Sequence, residues 1–347
     1  MRAKVKHLLR RARRVPGWLV QAASAAALLG FALWWVDLGE VAGALSRAHY
    51  QWAFLAIAIY ALTRVVHTIH WQVYLVKVGH VPFVQLLGAF VIGNFVNSVL
   101  PARAGDVATI QLMANRYGLS RAGMIAASGV ETVLDALVLV IMMLVALALL
   151  DASFVSAVVL WTLVVLAAAV FVAAVVSSHL IPPALPEWRW LDVLSDRARR
   201  VLGDAWPRVR DGLEAIRNER VLALALGLTV VGYGIEVLTF WAFGRAFGLG
   251  LPLSAYVSVT VGVSLVRTFP VTFQNIGTYE VALLALLRSE GVTGGDAFAY
   301  AVATRVLISA SITVMGLAAM WLMAVRPRDV FTLRKDTVLR APSAGSH

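Results

Sequence analysis

Long apolar stretches alternate along this chain with short basic ones, and the apolar stretches are too long for strands. Runs over Trp18–Trp35, Trp52–Val76, Ala122–Leu150, Phe154–Ser177, Val221–Phe247 and Ala297–Val325 approach or exceed the ~20 residues a helix needs to cross a bilayer. Each predicts a transmembrane helix. Two further apolar segments break at a proline. The first reads Asn94-Phe-Val-Asn97-Ser-Val-Leu-Pro101-Ala-Arg103-Ala-Gly105-Asp106; the second reads Arg267-Thr-Phe-Pro270-Val-Thr-Phe-Gln274-Asn275-Ile-Gly277-Thr-Tyr-Glu280. In both, polar residues and a glycine follow the proline, and a carboxylate opens the next helix. Irregular backbone at membrane depth persists only where protein buries it or where it lines a wet cavity. Paired interruptions of this kind mark binding sites in transporters.

Composition agrees with the pattern. The chain is 60% hydrophobic, with a mean hydropathy of +0.81. Residues 18–325 read as a single membrane domain, residues 1–17 as a basic N-terminus and 326–347 as a basic tail. The first span follows basic residues and lacks a small-x-small cleavage site, so it reads as a retained signal anchor. The absence of cysteine removes disulfides, thiolate metal sites and a cysteine nucleophile.

The net charge of +11 is confined to flanks: before Trp18, between Arg189 and Arg220, and after Val325. This distribution argues against nucleic acid and for contact with anionic lipid headgroups. By the positive-inside rule all three basic segments, both termini included, face the cytoplasm. That orientation fixes the topology. Residues between Pro82 and Leu119 must begin and end on the cytoplasmic side, and Asp106–Tyr117 is only about 18 Å long as a helix. Pro252–Glu290 must likewise begin and end outside. The expected fold is an all-α polytopic membrane protein, with about six full transmembrane helices and two re-entrant helical hairpins in an inverted repeat. The repeat halves are approximately 51–150 and 221–325. A linker over 181–220 carries Trp and Leu interleaved with Arg; it predicts an amphipathic helix, either on the cytoplasmic leaflet or on the protein's own cytoplasmic face. Asp37–Ser46 predicts a shorter interfacial segment outside.

After Asp106 comes a short helix and then Gly118-Leu-Ser; after Glu280 comes a short helix and then Gly291-Val-Thr. This parallel supports a repeat, although Gly-x-Ser/Thr also serves simply to end one helix and cap the next.

Candidate chemistry gathers at the breaks. Asn94, Asn97, Arg103, Gly105 and Asp106 bracket the first; Arg267, Gln274, Asn275, Gly277 and Glu280 bracket the second. A half-helix beginning near Gly105 offers backbone N–H groups and a positive dipole end, and Arg103 adds a guanidinium suited to phosphate. Gly277, with Arg267 upstream, offers the same. The alternative is that Asp106 and Glu280 pair with arginines and touch no substrate. Within the spans, Arg64, His67, His70, Glu131, Asp135, Glu236 and Arg305 are expensive and must face protein, a partner or water. Either Arg64 and Arg305 pair with the carboxylates to hold helices together, or Glu131, Asp135 and Arg305 serve a ligand. His67-x-x-His70 lacks the glutamate of the His-Glu-x-x-His zinc motif, and no metal or cofactor is expected.

The Asn94–Asp106 string, Glu131 with Asp135, and Gly277-Thr-Tyr-Glu280 with Arg305 resemble the flippase-like transmembrane domain of lysylphosphatidylglycerol synthases, over nearly the whole chain. The resemblance implies a helical domain with inverted hairpins that moves or binds a lipid across the cytoplasmic membrane. The family usually has Glu where Asp106 stands, Arg where Thr109 and Thr132 stand, and Gly-Gly where Gln274-Asn275 stands. The two missing arginines leave open whether the ligand is the same anionic lipid. Aminoacyl-lipid synthesis in that family belongs to a large cytosolic domain, for which the tail after Val325 is too short. The chain is therefore expected to be a flippase or transporter of a phospholipid or polyprenyl-phosphate lipid, and not an enzyme. Two alternatives stay open: a non-catalytic membrane partner of a separate lipid-modifying enzyme, and a membrane enzyme acting on a lipid phosphate.

Overall fold

The computed structural model describes residues 38–100, 103–150, 157–180, 182, 195–268, 272 and 275–326, and every regular element among them is helical. In chain order these are α1 (Leu38–Arg47), α2 (Tyr50–Tyr74), α3 (Phe83–Val99), α4 (Ala104–Tyr117), α5 (Arg121–Leu150), α6 (Ala157–Leu180), α7 (Asp196–Gly212), α8 (Glu214–Arg217), α9 (Glu219–Ala246), α10 (Leu253–Thr268), α11 (Thr278–Ser289) and α12 (Gly294–Leu322). The predicted span Trp18–Trp35, Pro101, Pro270, Gln274, residues 183–194 and the tail from 327 lie outside the described residues.

Among the described residues, four helices are long and apolar enough to cross a membrane: Tyr50–Tyr74, Arg121–Ala146, Glu219–Ala246 and Gly294–Leu322. They fall on four of the predicted spans to within a few residues. The predicted span Phe154–Ser177 corresponds to α6, whose described apolar part, Val164–Leu180, is shorter. Large apolar side chains such as Phe54 and Leu62 on α2, Val165 and Val172 on α6, Val230 on α9 and Val314 and Trp321 on α12 are exposed. Such an exterior suits hydrocarbon and not water.

The chain divides into two compact units, one from Met1–Ala48 and Gly262–Ala303, the other from His49–Val261 and Thr304–His347. In the second unit α2 and α9 run antiparallel: Trp52 meets Trp241 edge-on at 5.5 Å, and His70 meets Thr229 at 3.3 Å. The buried positions of α2, among them Ala53, Ala56, Tyr60, Thr63, His70 and Tyr74, are spaced by three, four or seven residues and so form one stripe. Asn218 starts α9 by accepting from the Arg220 and Val221 amides. The unit's core lies where α2, α3, α4 and α5 meet, around Trp71, Tyr74, Leu86, Phe90, Leu112, Met113, Met124 and Leu134.

α3 and α4 form an antiparallel hairpin. Leu100 is extended (φ −110°, ψ 144°), as the residue before a proline must be. Arg103 follows in left-handed backbone (φ 55°, ψ 35°), and α4 turns back along α3. The arms meet at two glycines. A Cβ on Gly93 would overlap Thr109 Oγ1, and one on Gly105 would overlap the Gly93 carbonyl. By helical rise α3 is about 25 Å long and α4 about 20 Å, both short of a ~30 Å hydrocarbon core. The second half of α12 packs on this hairpin: Gly316 lies against Phe95, and Arg116 donates to the Met323 carbonyl at 2.9 Å.

Of the two sites open to the amphipathic linker helix, the protein's own surface is where α7 packs. Gly212 sits so close to α5 that a Cβ there would overlap the Gly123 carbonyl. Trp206, on α7, donates its indole N–H to the Pro182 carbonyl at 3.0 Å. The first unit holds α1, which occupies the predicted short segment, the end of α10, α11 and the start of α12. Gly262 on α10 contacts Leu286 on α11 closely enough to leave no room for a Cβ, and Arg47 pairs with Asp296 at 3.5 Å on the surface.

Candidate functional site

The first break is closed by one side chain. Asn97, near the end of α3, accepts from the Gly105 amide through Oδ1 at 2.7 Å. Its Nδ2 donates to Asp106 Oδ1 at 2.9 Å. Asp106 stands at the third position of α4, where a carboxylate suits the helix dipole. Thr109 donates to the carbonyls of Gly105 (3.0 Å) and Ala89 (3.3 Å), so its hydroxyl fills the seam where the family resemblance leads to an arginine. Arg103 is exposed and makes no salt bridge among the described residues. The expected neighbour of Arg103, Asp106, is engaged by Asn97 instead.

The second break is built on the same plan by different means. Asn275 (φ 54°) and Gly277 (φ 83°) take left-handed backbone before α11, and Glu280 is again at the third position. Glu280 is 2% exposed and accepts the Gly277 amide at 2.7 Å through Oε2. Thr278 donates to the Asn275 carbonyl at 3.0 Å and contacts the Thr272 hydroxyl at 3.1 Å. At both breaks, then, an amide in the opening turn already has a side-chain acceptor, Asn97 in one and Glu280 in the other. Gly118 (φ 67°) closes α4 and Gly291 (φ 81°) closes α11, so both Gly-x-Ser/Thr motifs do end helices. Arg267 is exposed at the end of α10.

A third constellation lies between α2, α3 and α5. Glu131 is partly buried on α5, and its Oε1 lies 2.9 Å from His67 Nε2 and 2.9 Å from Trp71 Nε1. Phe90 of α3 packs on both donors, with ring centroids 4.9 Å from His67 and 5.0 Å from Trp71. One turn on from Phe90 along α3, Asn94 has a buried Nδ2 with no hydrogen-bond partner among the described residues. His67 Nδ1 is in the same state. Buried polar atoms without a hydrogen-bond partner are uncommon in folded proteins. Asp135 follows Glu131 by one helical turn.

Arg64 does not pair with Glu131. Its Nε donates to Thr63 at 3.0 Å, and its guanidinium lies over the Tyr60 ring at 5.0 Å. The sequence reading placed Glu131 and His67 in the membrane but missed Trp71. The signal was present, because Trp71 follows His67 by four residues and so shares its helix face. The structure thus brings together Asn97, Gly105 and Asp106 at one break, Asn275, Gly277 and Glu280 at the other, and His67, Trp71 and Glu131 in the core.

These features define a polytopic helical membrane protein with polar clusters at its helix breaks and beside its apolar core. The chain belongs to the family described as the lysylphosphatidylglycerol synthase TM region, which matches residues 17–316. It is a multi-pass integral membrane protein. No curated protein and no solved structure matches it.

Proposed function

We propose that this protein moves a phospholipid or polyprenyl-phosphate lipid between the leaflets of the cytoplasmic membrane, without chemical change to it. The observation that carries this reading is the break between α3 and α4. Two helices too short to span meet there, and Arg103 is left exposed in left-handed backbone while Asn97 occupies Asp106. A guanidinium whose neighbouring carboxylate in the sequence, Asp106, is already engaged by Asn97 suits a phosphate diester. The Gly105 amide is taken by Asn97, so recognition of the phosphate rests on Arg103 more than on the helix end.

In this reading the α3–α4 hairpin enters from the cytoplasmic side and the α10–α11 hairpin from outside. Their likeness supports this: each has a short apolar arm, left-handed backbone and a carboxylate at the third position of the following helix. In this reading Arg103 and Asp106 at the first break, and Asn275 and Glu280 at the second, are the residues that meet the lipid. Both termini and the 181–220 linker are cytoplasmic. Movement of fluorescent phosphatidylglycerol between leaflets, catalysed by the pure protein in liposomes, tests the reading. Absence of movement for every lipid offered would favour a binding partner of a separate lipid-modifying enzyme.

A further inference from the structure

We infer that the start of α2 and the end of α9 form a second anion site, which holds the phosphate of an anionic lipid headgroup. It uses none of the residues at the two breaks. Its leaflet, the outer one, follows from the orientation proposed above; the site itself does not depend on transport.

Backbone hydrogen bonds lock the two helix ends together. The His49 amide donates to the Ala246 carbonyl at 2.7 Å, and the Trp52 amide to the His49 carbonyl at 2.9 Å. After Arg245 the chain reverses: Leu249 donates to the Gly244 carbonyl at 2.9 Å and Gly248 to that of Arg245 at 3.3 Å. Gly248 takes the left-handed backbone (φ 67°) that such a helix end requires. The reversal leaves a pocket of about 240 Å³, with His49, Gln51 and Trp52 on one side and Arg245, Gly248 and Gly250 on the other. A Cβ on Gly250 would meet nothing within 4 Å, so the space before it is open.

One guanidinium sets the charge of this pocket. Arg245 lies over the Trp52 ring at 5.6 Å, and Trp241 meets that ring edge-on at 5.5 Å. The ring face attracts a cation but supplies no counter-charge. Arg245 makes no salt bridge among the described residues. α2 carries no carboxylate, and the nearest on α9, Glu236, lies about 14 Å back along that helix. An arginine in a last turn often serves its own helix's carbonyls. Here those of Gly244 and Arg245 already accept from Leu249 and Gly248, which leaves the guanidinium for a ligand. His49 and Gln51 add neutral donors beside it.

Depth selects the ligand. Trp52 and Trp241 sit at the ends of two spanning helices, the level where indoles meet lipid headgroups. The anions concentrated at that level are lipid phosphates. The pocket is smaller than the ~300 Å³ at which drug-sized sites begin, so it takes a headgroup while the acyl chains stay in the bilayer. Leu55, one turn below Gln51 on the same face, is exposed and offers those chains apolar surface.

The test uses the full-length protein in phosphatidylcholine nanodiscs. These are doped with phosphatidylglycerol or phosphatidylcholine carrying a photoreactive group near the head of one acyl chain. Mass spectrometry maps the cross-linked peptides. Phosphatidylglycerol should label residues 49–55 and 248–250 about tenfold more than phosphatidylcholine does. Arg245→Ala should abolish that preference, and Arg245→Lys should restore part of it. Gly250→Val keeps the charge but fills the pocket, and should lower labelling by the anionic lipid as well. Melting temperatures establish that each variant is folded. Excess soluble glycerol phosphate should compete only weakly. Equal labelling by the two lipids, or a preference that survives Arg245→Ala in a folded protein, would overturn the site. Complete displacement by glycerol phosphate would overturn a lipid as its occupant. The expected labelling in a protein that moves no lipid would sustain the site and count against transport alone.

Discussion

Asn97 clamps Asp106 across a break in the chain: its Nδ2 holds the carboxylate at 2.9 Å while its Oδ1 holds the Gly105 amide at 2.7 Å. One carboxamide thus ties the end of α3 to the first turn of α4, supplying a donor and an acceptor together.

The clamp can be inverted. Asn97→Ala should lower stability by about 1–2 kcal/mol, through loss of both hydrogen bonds. Asn97→Asp keeps the acceptor for Gly105 but sets two carboxylates together, and should cost more. Adding Asp106→Asn to it restores an amide–carboxylate pair and should recover most of the loss. Thermal unfolding in detergent reads all three. An additive double variant would show that the two side chains do not interact.

Gly93 should tolerate no side chain. A Cβ there overlaps Thr109 Oγ1, so Gly93→Ala should cost about 1–3 kcal/mol by overpacking the α3–α4 seam. Gly129, exposed on α5 with nothing within 4 Å of a Cβ, provides the contrast. Gly129→Ala should be neutral or stabilise by about 0.5–1 kcal/mol through helix propensity. Equal effects at the two sites would contradict the close approach.

The second break depends on backbone sign. Gly277→Ala places a Cβ at φ 83° and should destabilise by about 1 kcal/mol or more. Glu280→Gln keeps an acceptor for the Gly277 amide and should be milder than Glu280→Ala. Melting temperatures in that order would support the cap, and indistinguishable values would remove it.

Much of this architecture was legible because lipid imposes a length. α2, α5, α9 and α12 begin and end close to the predicted runs, since a spanning helix needs its apolar residues in one uninterrupted stretch. The first break was legible for a local reason: Leu100 must be extended before Pro101. Partners across helices were not. Nothing in the sequence marks Gly123 and Gly212 as a contact, because glycine carries no polarity signal. Asn97 was marked as a site residue by its place at the break, but its partners lie eight and nine residues on, across a turn of unknown geometry. Charge complementarity offered Arg64 and Arg305 three carboxylates, Glu131, Asp135 and Glu236; at Glu131 it is His67 and Trp71, on neighbouring turns of α2, that reach the carboxylate.

Topology follows from the basic segments and has its own test. The chain has no cysteine, so single cysteines at Ala152, Ala198 and Ser343 give clean labelling sites. An impermeant thiol reagent applied outside sealed cells should label position 152 alone. Labelling at 198 would place the 181–220 linker outside and dissolve the argument for hairpins entering from opposite faces.

The most direct measurement sets lipid movement against stability at Arg103. Wild type, Arg103→Lys and Arg103→Ala are reconstituted at equal density, with the melting temperature of each recorded. Arg103 is exposed and makes no salt bridge among the described residues, so both variants should fold as wild type does. Lysine keeps the charge but loses the bidentate fork, and should slow movement of phosphatidylglycerol partially; alanine should slow it at least tenfold, the effect of about 1.4 kcal/mol. A stable Arg103→Ala protein that moves lipid at the wild-type rate would contradict the account.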